Sequence, residues 1–292
     1  MPPSLKPLRS PPPVVAETAE TAETAEIAER AEDAQAVKDS ERAGPLAIAY
    51  TATRVVPGLL ERLQRTPGVV RPDRSDLAET FKRLRSQLLQ RLQADGHTLL
   101  AVTSPRALPG KSLTALNLAL AVAAELDRTV LLVDADLTGQ GLQATMGLSG
   151  APGLGEHLSQ GLPLDELLLN PGLPRFVFLP GGQVSGHGTA ELLATRAMQR
   201  LSQELKQRYA DRIVIIDLPP LLDTADALSL LPLADTHLLV AEEHGTSVAD
   251  VEAANQLLAP YNLVGSVLAR KQPQAREPGR GRWWRRRGGG PG

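Results

Sequence analysis

The residues whose types and spacing point to chemistry are a tripeptide, Gly110-Lys111-Ser112, and three aspartates spread along the chain, Asp134, Asp136 and Asp217. Gly-Lys-Ser ends the stretch "SPRALPGKSLT", where a polar loop follows an apolar run and opens a helical pattern. In that context backbone N–H groups and the helix N-terminus attract phosphates, Lys111 reaches the β and γ phosphates, and the Ser112 hydroxyl binds Mg²⁺. The tripeptide alone is a weak signal, and an inherited loop that has lost its ligand is the bland alternative. Pro109, Gly110, Lys111, Ser112 and Leu113 are the expected nucleotide contacts.

Asp134 and Asp136 end the run "VLLVDAD", and Asp217 ends "IVIIDLPP". A strand period of two puts Asp134 and Asp136 on one side as the chain leaves the sheet. Acids so placed can hold a metal ion, partly through its waters, and accept a proton from an attacking hydroxyl. One strand-end aspartate would be read as a cap or turn former; three beside a Gly-Lys-Ser favour Mg²⁺ held by Ser112, Asp134, Asp136 and Asp217. Lys111 and the three aspartates are the expected catalytic set.

The elements that must position these groups alternate. An amphipathic helix with Leu77, Phe81, Leu84, Leu88 and Leu92 on one face is predicted to start at a cap on Asp76 and to end near Gly96. After it come strand "TLLAVTS", a helix from 111 to about 126, strand "TVLLVDAD", a helical stretch through 141–170 and strand "RFVFLPGG". A long helix over about 190–209, strand "RIVIIDLPP", a helix near 224–231, strand "THLLVAEE", a helix over 247–259 and strand "LVGSVLAR" complete the series. Continuous apolar strands are covered on both faces, and their alternation with helices predicts an α/β, doubly wound, mostly parallel sheet. Ligands in such sheets bind beyond the carboxyl ends of the strands, where "TSPRALPGKS", "DADLTGQ" and "DLPPLLD" converge.

The 292 residues fit one folded domain with two tails. Residues 1–45, with an Ala-Glu-Thr repeat, read as a disordered leader. Residues 46–75, broken by Pro57, Pro67 and Pro72, read as a connecting segment laid on the surface, 76–271 as the domain, and 272–292 as a disordered basic tail. The chain has no cysteine, which excludes disulfides and thiolate metal sites and fits a cytoplasmic setting. No apolar run approaches a membrane span. Histidines 97, 157, 187, 237 and 244 lack paired metal spacing and are assigned no chemistry. Tail residues Trp283, Trp284 and the arginines beside them suit a peripheral contact with an anionic membrane; nucleic acid is not expected, because the domain has no basic stripe.

The order "AVTSP…GKS.TALNLA", "VLLVDADL", "PGG…ELL", "RIVIIDLPP", "VGSVL" resembles the bacterial tyrosine kinases of capsule and exopolysaccharide clusters, over about residues 76–270. The resemblance implies a P-loop fold related to the MinD/ParA ATPases and an ATP- and Mg²⁺-dependent protein-tyrosine kinase. It further implies work beside a membrane-bound polysaccharide copolymerase that regulates chain length, at the inner face of the membrane. By position it makes Lys111 and Ser112 the phosphate and Mg²⁺ residues, Asp134 and Asp136 the second acidic motif, and Asp217 the Walker B acid. Glu79, Lys82 and Arg85 match the family's E-x2-R-x2-R oligomerisation helix, with lysine in the middle place. Two other classes remain open: a pseudokinase or ATP-sensing scaffold, and a ParA/MinD-like positioning ATPase.

The departures bear on catalysis. Pro105 replaces the usual first glycine, and Ala107, Leu108 and Pro109 replace a glycine-rich turn of the same length. A side chain at 108 restricts positive φ and Pro109 lacks an N–H, each lost donor costing about 1–3 kcal/mol if uncompensated. Thr138, Gly139 and Gln140 stand where the family often has arginine, and Gly188 and Ala269 where asparagine is common. Arg106 falls at the signature-lysine position of ParA-type loops, although an exposed loop arginine is the simpler reading. The family's C-terminal tyrosine cluster is missing: the tyrosines are Tyr50, Tyr209 and Tyr261 alone, of which Tyr50 is the exposed candidate acceptor and the others read as core or edge residues.

Overall fold

A computed structural model describes residues 53–71, 75–138, 141–184, 188–207 and 212–270. The leader at 1–45, Tyr50, Gly139, Gln140, His187, Tyr209 and the tail with Trp283 and Trp284 lie outside the described residues.

Short runs of β-branched and leucine residues form the centre of an eight-stranded sheet. The strands are β1 (Arg54–Val55), β2 (Leu99–Thr103), β3 (Thr129–Asp134), β4 (Leu169–Asn170), β5 (Phe176–Leu179), β6 (Arg212–Asp217), β7 (Thr236–Glu242) and β8 (Leu263–Ala269). Their order is β1-β4-β5-β3-β6-β2-β7-β8, and every neighbouring pair is parallel except β4 with β5. The expected α/β doubly wound sheet is therefore the fold. β2, β5 and most of β3, β6 and β7 are buried along their length, because helices cover both faces.

One face carries α1 (Leu59–Arg65), α2 (Asp76–Ala94) and α3 (Pro109–Ala123) on Leu100, Val102, Val130, Leu132, Ile213 and Ile215. The opposite face takes Leu131, Val133, Val214 and Ile216 against helices that include α8 (Arg196–Gln207) and α10 (Val248–Leu258). The intervening helices α4 (Leu142–Thr145), α5 (Leu154–Gln160), α6 (Leu164–Leu167), α7 (Thr189–Leu193) and α9 (Asp226–Leu230) are short.

Several boundaries differ from the sequence expectation, each for a local reason. α2 is capped by Ser75, whose hydroxyl accepts the Ala78 N–H at 3.2 Å, so Asp76 is its first residue and not its cap. α3 begins at Pro109, two residues earlier than expected, because proline is well suited to a first helical turn, and it ends at Ala123. The stretch 141–170 is three short helices and a strand, interrupted by Gly147, Gly150 and Gly161 at positive φ. The long helix over 190–209 is two, divided where the Thr195 hydroxyl accepts the Met198 N–H at 3.3 Å and starts a new helix.

The larger correction concerns residues 53–71. This part of the expected surface connector supplies β1, which pairs with β4, and α1, whose Leu59 and Leu63 are fully buried in the same core as Phe81 and Leu116. Burial of each leucine is worth about 1.5–3 kcal/mol. The segment is also clamped to α3: the Asn117 side chain accepts the Val70 N–H at 2.7 Å and donates to the Gly68 carbonyl at 2.7 Å. Asn117→Leu would strand both backbone groups and is expected to destabilise the domain by about 2–6 kcal/mol, at 1–3 kcal/mol per orphaned group. Urea unfolding of the two proteins side by side checks this, and an unchanged midpoint would remove the clamp from the account.

Candidate nucleotide site

The site is assembled by register. β2, β6 and β3 are adjacent, with Val102 beside Asp217 and Asp217 beside Asp134. Asp134 has the parity of Val130 and Leu132, and Asp217 that of Ile213 and Ile215, so both acids leave the sheet on the face that α3 covers. The loop after β2 turns into α3 directly above them, and Lys111 and Ser112 lie in its first turn.

Lys111 is 3% exposed and its ammonium is fully engaged, donating to Asp217 Oδ1 at 2.9 Å, Asp136 Oδ2 at 3.5 Å and the Leu218 carbonyl at 2.6 Å. Ser112 Oγ donates to Asp217 Oδ2 at 2.6 Å. Asp136 Oδ1 accepts the Thr138 hydroxyl at 2.6 Å. Asp134 accepts backbone N–H groups, from Gln143 at 2.7 Å and Asp136 at 3.2 Å. Lys111, Ser112, Asp136 and Asp217 thus form one bonded cluster, and Asp134 stands beside it. Burial opposes charge throughout. It works against the Lys111 ammonium, but the Asp217 and Asp136 carboxylates outweigh it and raise the lysine above its ordinary value. Burial raises Asp217 in spite of Lys111 and Ser112, and pushes Asp134 up to about 8 with help from the neighbouring Asp217 charge. Asp134 is therefore mainly a neutral acid at pH 7.

The altered loop is accommodated by a different backbone. Leu108 is extended, at φ −150° and ψ 142°, and no residue from 105 to 113 has positive φ, so the expected conflict at 108 does not arise. Pro109 sits where a helix needs no N–H. Gly110 is held by close approach: a Cβ there would lie 3.1 Å from the Ala269 methyl at the end of β8 and 3.2 Å from the Leu108 side chain. A cleft of about 660 Å³ opens over Ala107, Leu108, Pro109, Lys111, Ser112 and Leu113, within the size range of small-molecule sites. Its far walls include Asp136, Thr138, Asp223 and Thr224, and Thr66 and Pro67 from the turn after α1.

Other expected residues are placed as follows. Arg106 is exposed but paired, through Nη1 to Asp223 at 2.9 Å and through Nε to Asp250 at 2.9 Å. Glu79 and Lys82 bond each other at 2.7 Å on the outer face of α2, whereas Arg85 turns inward to Glu125 at 2.6 Å and the Ala121 carbonyl at 3.1 Å. Tyr261 packs on the buried His237, with ring centroids 5.5 Å apart. Sequence reasoning missed Asp223, Asn117 and the Thr66–Pro67 wall. Asp223 lay inside the rim segment "DLPPLLD", but nothing in the spacing marked its partner.

The donor set suits Mg²⁺, which keeps most of its waters and needs only one or two carboxylates. Three buried acids face one ammonium, and a cation that displaces the Asp134 proton would offset the charge so released. Among the described residues no three His, Cys, Asp or Glu side chains are gathered closely enough to hold a metal ion directly. The set therefore suits an ion contacted partly through water.

No family model matches the chain. Its curated relatives include the putative tyrosine-protein kinase EpsB of Ralstonia nicotianae, 30% identical over 185 residues, 63% of this chain and 24% of the relative. The succinoglycan biosynthesis transport protein ExoP of Rhizobium meliloti is 33% identical over 190 residues, 62% of this chain and 23% of the relative. The chain spans about a quarter of the length of these relatives. Among solved structures, the kinase domain of the Escherichia coli tyrosine kinase Etk superposes with TM-score 0.64 at 26% identity, covering 78% of this chain and 91% of that one. The BceF tyrosine kinase domain gives TM-score 0.60 at 26% identity, covering 84% and 90%. Fold and site define a P-loop α/β protein. Within that class, the folded part of the chain is similar to the kinase domains of bacterial tyrosine kinases.

Proposed function

We propose that this chain is an ATP- and Mg²⁺-binding, tyrosine-kinase-like regulator of exopolysaccharide or capsule synthesis. The observation that carries the proposal is the convergence of Lys111, Ser112, Asp136 and Asp217 beneath a cleft at the carboxyl ends of β2, β3 and β6. The names of the relatives, tyrosine-protein kinases and a succinoglycan biosynthesis transport protein, support the pathway. In this reading Ser112 and Asp217 hold Mg²⁺, with Asp134 and Asp136 reaching it through water. When bound, the ion supplies charge neutralisation at the phosphates. Lys111 would leave the carboxylates for the β and γ phosphates, and Asp136, so released, would accept the proton of an incoming tyrosine hydroxyl. The α3 N-terminus orients the phosphates.

The partner in this reading is a membrane-bound polysaccharide copolymerase, and the setting is cytoplasmic, at the inner face of the membrane, with Trp283, Trp284 and the tail arginines as a peripheral contact. Among the described residues no helix is long and apolar enough to cross a membrane. Self-association would use Glu79 and Lys82, since Arg85 is engaged within its own domain.

A second reading, an ATP-sensing scaffold without phosphoryl transfer, is favoured by one observation: Tyr261 is packed against His237 and so ill placed as an acceptor. Purified full chain with Mg²⁺ and γ-labelled ATP separates the two, with and without a tyrosine-rich acceptor peptide. Label on tyrosine that is lost in Lys111→Met supports the kinase. ATP binding without transfer supports the scaffold, and no ATP binding would sink both.

A further inference from the structure

Resting on the nucleotide reading of the same cleft, a phosphoryl acceptor within this chain follows from contacts which that reading does not use. Among the described residues, those that bear a hydroxyl and line the cleft are Thr66, Ser112, Thr138, Thr145 and Thr224. Their hydrogen bonds sort them. Thr66 and Thr145 donate to backbone carbonyls four residues back, Arg62 at 3.1 Å and Gly141 at 3.1 Å. Ser112 is buried and committed to Asp217 at 2.6 Å, and the Thr224 hydroxyl is buried with no partner among the described residues. Thr138 alone of these is both exposed and bonded to a carboxylate, donating to Asp136 Oδ1 at 2.6 Å.

The same carboxylate presents its other oxygen, Oδ2, to Lys111 at 3.5 Å. One acid thus joins the lysine that would hold the transferring phosphate to a hydroxyl on the far wall of the cleft. A general base must lie within about 2.6–3.2 Å of the hydroxyl whose proton it takes, and Asp136 meets that distance before any ligand arrives. A backbone Asx turn accounts for the Thr138 N–H, 3.4 Å from Asp136 Oδ1, but it leaves the hydroxyl free to turn to solvent. Tyr261, the tyrosine within the described residues, is instead packed on His237.

We propose that Thr138 is a site of self-phosphorylation, whose Oγ1 takes the γ-phosphoryl group of a nucleoside triphosphate bound in its own cleft, with Asp136 as general base. The bond from Thr138 Oγ1 to the γ-phosphorus forms as the bond from that phosphorus to the β,γ-bridging oxygen breaks. The hydroxyl proton passes to Asp136, and the leaving nucleoside diphosphate keeps the electron pair. The phosphothreonine so formed puts about 1.5–2 negative charges where the next γ-phosphate would lie, so transfer stops at one group per chain.

Full chain incubated with Mg²⁺ and γ-labelled ATP, without acceptor peptide, and mapped by mass spectrometry tests this. Label is expected on Thr138, at most one group per chain, at a first-order rate independent of protein concentration. Thr138→Val is expected to lose that label and Thr138→Ser to keep it within severalfold, while Asp136→Asn slows it about a hundredfold or more. Thr138→Glu, compared with Thr138→Gln, gives a measure independent of transfer: calorimetric titration is expected to show Mg-ATP binding about tenfold weaker to the glutamate, the effect of one nearby charge. Label that maps elsewhere or survives Thr138→Val, equal affinities of the Glu and Gln variants, or no label in a wild-type chain that binds Mg-ATP overturns the acceptor site and leaves the nucleotide reading standing. A rate that rises with protein concentration overturns transfer within one cleft. Absence of Mg-ATP binding in wild type overturns both.

Discussion

Lys111→Met is expected to abolish Mg-ATP binding and to lower the stability of the empty domain by about 3–5 kcal/mol near pH 8, the usual cost of removing one partner from a buried ion pair. The reason lies in what the ammonium leaves behind. Asp217 is wholly buried, and its charge is balanced by Lys111 and by the Ser112 hydroxyl. Methionine fills much of the same volume and offers no charge, so the carboxylate must stay ionised at high cost or take a proton. Protonation becomes easier as pH falls, and the loss should shrink well below its pH 8 value by pH 5. Urea unfolding of both proteins at the two pH values measures this. An equal deficit at pH 5 and pH 8 would show that the lysine acts through packing and not through charge.

Asp134 should contribute strongly to the pH dependence of the wild-type domain. Its pKa is about 8 when folded and 3.8 in the unfolded chain. Between those values the native state keeps a proton that the unfolded chain has released, so its contribution is fully present below pH 4 and is lost as pH rises through 8. Each pH unit in that window removes up to about 1.4 kcal/mol from this source. The buried Asp217, also raised, acts with the same sign. Asp134→Asn cannot titrate, and its amide oxygen can still accept the Gln143 N–H. The expected result is a stability that falls from pH 5 to pH 8 in wild type and falls less steeply in the variant, so that the two curves approach each other toward pH 8. A parallel pair of curves would return Asp134 to the ordinary acids.

The parts of this site that were legible in the sequence are those governed by period and position. Lys111, Ser112, Asp134, Asp136 and Asp217 each sit at the end of an apolar strand or the start of a helix, and strand parity puts Asp134 in step with Val130 and Leu132, and Asp217 with Ile213 and Ile215. The unread parts depend on pairings that no local period encodes. Arg106 meets Asp223 and Asp250 across 117 and 144 residues of chain. β1 and β4 are two residues each, too short for alternation to show. Pro57 and Pro67 read as breakers of any long helix; they bracket a seven-residue one, α1, whose leucines are buried in the core and whose following turn makes one wall of the cleft. Leu108 was read against the turn of a glycine-rich loop, whereas the chain takes an extended path that a leucine adopts without strain.

The two ends of the sheet are unequal. At one margin β1 is two residues long, too brief to template another strand. At the other, β8 runs seven residues with Leu263 and Leu268 exposed, and Arg91 of α2 donates to the Val264 carbonyl beside a register shift. Of the two margins the β8 side thus carries the longer run of backbone, and the Arg91 guanidinium already occupies one of its carbonyls. That longer margin is also the one whose last residue, Ala269, leaves no room for a side chain at Gly110, so the edge strand of the sheet sets how closely the loop before α3 can be built.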